Sequence, residues 1–140
     1  MAAAACTDRV KLAVLLQAAG LLSLADAAGA SLVHGWSGAA VDEAGRLCGL
    51  AVRFEPAAAS AQERLRDLLL TLFRGGERIA GRGVARAAAR ELLSAWEGGL
   101  APMSADEAVG RIFDAAPFLA APEFTFAHAA LRGVWHAEGR

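Results

Sequence analysis

The chain has 140 residues, a formal net charge of −1 and a hydrophobic fraction of 56%, with a mean hydropathy of +0.37. This length suits one domain with its own core, and the charge argues against a generally basic nucleic-acid-binding protein. The two cysteines, Cys6 and Cys48, are too few for a disulfide scaffold and favour a reducing, cytoplasmic setting. We therefore expect a single helical domain over residues 1–140.

The first predicted element is a helix over about residues 8–28. Its apolar positions recur at helical spacing, at Leu12, Leu15, Leu16, Ala19 and Leu22. Residues 1–30 also resemble a cleaved secretory signal, because basic residues precede an apolar run that ends in small residues. Gln17 inside that run and Asp26 near its end argue against cleavage and secretion. We therefore expect residues 8–28 to form the first helix of the domain, and we expect no membrane association.

The next stretch has the composition of a β-hairpin over about residues 31–54. Residues 31–36 (SLVHGW) and 46–54 (RLCGLAVRF) predict two strands around the turn sequence VDEAG. Gly38, Gly45 and Gly49 weaken the alternation that a stable strand needs. Because an isolated hairpin is marginal in water, it must pack on helices or pair with the edge of another chain.

Two helices are predicted in the middle of the chain, over about 60–74 and 77–97. The sequence from Ser60 to Glu63 is a capping box, in which serine accepts from the backbone and glutamate reaches back. Gly81 and Gly83 predict that the second of these helices starts late, near Val84. The expected core positions are Leu65, Leu68, Leu69, Leu72 and Phe73 in the first helix, and Ala85, Ala89, Leu92 and Trp96 in the second.

Two further helices are predicted, over about 104–116 and 122–137. Ser104 and Glu107 form a second capping box, and Pro117 ends the helix that it opens. Pro122 suits the first residue of the last helix. The fold class is therefore mainly α: a compact bundle of about five helices with one short β-hairpin after the first helix.

A series of arginines at four-residue spacing is the most conspicuous candidate site: Arg74, Arg78, Arg82, Arg86 and Arg90. On a continuous helix this spacing makes a slanting basic ridge that would suit nucleic acid, phosphate or another anion. The alternative, which we favour, is a solvent-exposed helix face in a protein from a GC-rich, bacterial-type genome, since Lys11 is the only lysine.

Residues for metal or catalytic chemistry do not fall into a known pattern. His128 and His136 are eight residues apart, which on a helix is too far around for joint chelation, and His34 with Cys48 would need a third ligand. No serine lies in a nucleophile motif such as G-x-S-x-G. We therefore predict neither a metal, a cofactor nor an enzymatic activity.

Three aromatic residues are candidates for contact with a partner: Trp36, Phe118 and Phe126. Phe118 is next to Leu119, and Phe126 is two positions after Phe124, so that at least one large apolar side chain falls off the core face. Together with the hairpin edge, they predict a non-enzymatic module for protein–protein interaction or self-association. The alternatives are a regulator that binds nucleic acid or another anion through the arginine ridge, and a binder of a small apolar ligand between helices.

Overall fold

The computed structural model describes residues 7–28, 31–32, 40–41, 47–48, 52–53, 61–73, 79, 81–98, 103–124 and 127. These residues are mainly helical, as predicted. The α-helices are α1 (Asp8–Ala28), α2 (Ala61–Phe73), α3 (Val84–Gly98) and α4 (Ala105–Ala115), and two 3₁₀ turns follow at Pro117–Ala120 and Pro122–Phe124.

Helix α1 lies at the centre of the helical core. Every side chain from Leu12 to Ala19 is buried, so this stretch is enclosed on all sides rather than along one stripe. It contacts α2, α3 and α4. Gln17 is the polar side chain in this stretch, and its Nε2 donates to the carbonyl oxygen of Ala13 at 3.3 Å. A buried side-chain amide needs hydrogen-bond partners, and the Ala13 carbonyl in the preceding turn is one of them.

Helices α2 and α3 bury the faces that their sequences predict. The buried residues include Leu65, Leu68, Leu69, Leu72 and Phe73 of α2, and Ala85, Ala89, Leu92 and Trp96 of α3. Gln62 links these helices to the start of α4: its Nε2 donates to the Trp96 carbonyl, and its Oε1 accepts from the Met103 N–H at 3.1 Å. The start of α2 is thereby fastened to the end of α3.

The serine half of the predicted capping box at the start of α4 is confirmed, with Ser104 as the N-cap residue. The Ser104 hydroxyl accepts from the Glu107 backbone N–H at 3.2 Å, and its oxygen lies 3.3 Å from the Glu107 carboxylate. At the other end, the Ala116 N–H still donates to the Ile112 carbonyl before Pro117 starts a 3₁₀ turn. The first predicted capping box depends on Ser60, which lies outside the described residues.

The short hairpin predicted over about 31–54 is not seen among the residues of this region that the structure describes. The described part of this region has four two-residue strands: β1 (Ser31–Leu32), β2 (Ala40–Val41), β3 (Leu47–Cys48) and β4 (Val52–Arg53). Ser31 is opposite Arg53 in one antiparallel pair, and Ala40 is opposite Cys48 in the other. Seven residues separate β1 from β2 but three separate β3 from β4, so one uninterrupted ladder cannot hold both pairs in register.

The glycines before α3 delay its start as predicted, whereas the last predicted helix is described only in part. The helix predicted over 77–97 begins at Val84, because Gly81 and Gly83 have φ angles of 100° and 111°, which a right-handed helix excludes. Pro122 starts a 3₁₀ turn rather than an α-helix, and most of the predicted helix 122–137 lies outside the described residues. The described ranges contain four α-helices with both ends described, and Ala127, the one described residue beyond Phe124, is also helical.

Candidate functional site

The predicted arginine ridge is not a row on one continuous helix. Arg74 and Arg78 lie outside the described residues, and Arg82 precedes α3, between two glycines with positive φ. Only Arg86 and Arg90 of the series lie on α3. Arg82 therefore does not lie on the helix that would align its guanidinium group with those of Arg86 and Arg90.

Arg86 is bound within the chain. Its Nε donates to Asp8 Oδ2 at 3.0 Å, and its guanidinium lies 5.5 Å from the ring centre of Phe73. Lys11 approaches the same partners, with Nζ 3.7 Å from Asp8 Oδ1 and 5.3 Å from the Phe73 ring centre. Asp8 and Phe73 thus hold two cations in place, and this cluster connects the starts of α1 and α3 to the end of α2.

Arg90 also has a structural role. Its Nη1 donates to the carbonyl oxygen of Gly81 at 2.7 Å and to that of Ile79 at 3.3 Å. These bonds fasten the residues that lead into α3. Arg82, in contrast, is exposed, and no described acidic side chain pairs with it.

Phe118 is not an open contact residue. It is partly buried, its ring centre lies 5.8 Å from that of Phe124, and the guanidinium of Arg9 covers it at 5.0 Å. Trp36 and Phe126, the other two predicted contact residues, lie outside the described part of the chain. In the described part of the chain, Phe118 therefore packs with Phe124 and Arg9.

A cleft of about 520 Å³ opens where α1 and α3 begin, and we call it the Val84 cleft. Three segments line it: residues 7–10, residues 83–85, and the pair Glu123 and Phe124. Ala85 and Phe124 are buried and Val10 is partly buried, which makes the floor apolar. The cleft combines an apolar floor with charged residues at its edge.

Val84 is the one large apolar side chain that the described part of the chain leaves exposed, at 64%. It lies one helical turn before Ala88 and two turns before Leu92, both of which are buried. Val84 therefore continues a core stripe of α3 past the point where neighbouring elements cover it. Val84 is not among the core positions expected from the sequence, and its exposure beside the cleft depends on how the neighbouring elements pack.

The charged edge of the cleft is partly paired. Arg9 Nη1 lies 3.9 Å from Glu123 Oε1, a contact between two exposed side chains. Asp8 is matched by Lys11 and Arg86. Exposed pairs of this kind are weak, so an incoming charged group can compete for Arg9 at little cost.

Metal and membrane sites are not found among the described residues. No group of three or more His, Cys, Asp or Glu side chains lies close enough together there to hold a metal ion. His34, His128, His136 and the Cys48 side chain lie outside the described part. None of the described helices combines the length and hydropathy that crossing a bilayer requires.

The chain was compared with models of protein families, with curated proteins and with solved structures. None of the three comparisons gives a match. The candidate function therefore depends on the chemistry of the Val84 cleft itself.

Proposed function

We propose that this chain is a non-enzymatic interaction module that binds a protein segment in the Val84 cleft. The observation that carries the proposal is the exposed Val84 side chain on the rim of a cleft with an apolar floor. An apolar side chain on a core stripe that is left in water is stabilised when a partner covers it. Binding would extend the core of the module by one inserted side chain.

The size of the cleft supports a short segment rather than a whole folded surface. A volume of about 520 Å³ accommodates a few side chains, and its floor offers Val10, Ala85 and Phe124 as contacts. Aromatic and apolar residues in such pockets commonly supply most of the binding energy of an interface. The arginine alternative has less support, because Arg86 and Arg90 bond within the chain.

Panning of the immobilised chain against random linear peptides displayed on phage tests the proposal. We expect enriched peptides that share a bulky apolar residue. Val84→Asp should weaken their binding by about tenfold or more, since a charge replaces the apolar contact. The variant should fold, because Val84 is exposed and an acidic residue suits the first turn of a helix.

Ser94→Asp is the matched control, because it adds the same charge to an exposed position of α3 about 15 Å further along the helix. Binding should be retained in this variant. The proposal is wrong if no peptide is enriched above background, or if both variants lose binding equally.

A further inference from the structure

We draw no further inference here: the strongest candidate, the Val84 cleft where α1 and α3 begin, belongs to the site already described, and nothing in the described part of the chain shows which occupant covers it.

Discussion

Gly81 and Gly83 both need positive φ angles, yet their surroundings differ. A Cβ added at Gly81 would lie 2.8 Å from Arg86 Cδ, whereas one added at Gly83 meets no atom within 4 Å. Arg86 cannot move away without loss, because Asp8 and Phe73 hold its guanidinium. Substituting each glycine in turn therefore distinguishes the free-energy cost of the unfavourable backbone angle, which both positions have, from that of a steric clash, which only Gly81 has.

We expect Gly81→Ala to lower the free energy of unfolding more than Gly83→Ala does. Both variants should lose about 1–2 kcal/mol to the unfavourable angle, and Gly81→Ala about 1–3 kcal/mol more to overpacking. Urea denaturation measures both losses. In an Arg86→Ala background, the difference in stability loss between Gly81→Ala and Gly83→Ala should shrink. If the two variants lose the same stability in the wild-type background, a clash with Arg86 is excluded.

At the scale of elements, the Asp8–Arg86 contact joins the starts of α1 and α3 next to the Val84 cleft. The Asp8 side chain is 36% exposed and that of Arg86 is 25% exposed, so water screens their attraction. The arginine stem also packs near Phe73, which is buried. The Arg86 side chain thus contributes to the free energy of unfolding in two separate ways, through packing of its stem and through pairing of its charge.

A double-mutant cycle of Asp8→Ala and Arg86→Ala should give a coupling energy of about 0.2–1 kcal/mol, decreasing as salt rises. Arg86→Met should be less destabilising than Arg86→Ala, because methionine keeps much of the apolar stem. Chemical denaturation of the variants provides these free energies. A coupling far above this range would mean that the charge pair, and not the packing, joins the two helices.

Elements with strong local signals were predictable. The buried leucines of α2 follow from their spacing, and the cap at Ser104 follows from serine and glutamate three residues apart. The start of α3 required the glycines as well as the periodicity. The 3₁₀ turn at Pro122 was not predicted, because proline suits the first position of both kinds of helix.

The candidate site depends on contacts that local sequence does not encode. Arg86 pairs with Asp8, 78 positions earlier in the chain, so its spacing from Arg82 and Arg90 says nothing about its partner. Val84 has the periodicity of a core residue and is nevertheless exposed, because burial depends on where the neighbouring elements end. Tertiary placement therefore decides both the partner of Arg86 and the exposure of Val84.

For the whole molecule, the central position of α1 has a consequence for how the bundle unfolds. Residues 12–19 are buried among α2, α3 and α4, so α1 cannot leave without exposing the apolar faces of all three. The Ser23 hydroxyl also donates to the Asp106 carboxylate, which adds a link from α1 to α4. We expect these helices to unfold together, as the single-domain prediction requires.

Hydrogen exchange monitored by mass spectrometry tests this expectation. The amides in the buried part of α1 should exchange only through global unfolding and be the slowest in the chain. Leu16→Ala removes a side chain that is 1% exposed and should cost about 2–5 kcal/mol. It should speed the exchange of α1, α2 and α3 by a common factor, whereas Ser94→Asp at the surface should leave all three nearly unchanged. Faster exchange confined to α1 would show that the helices do not form one cooperative unit.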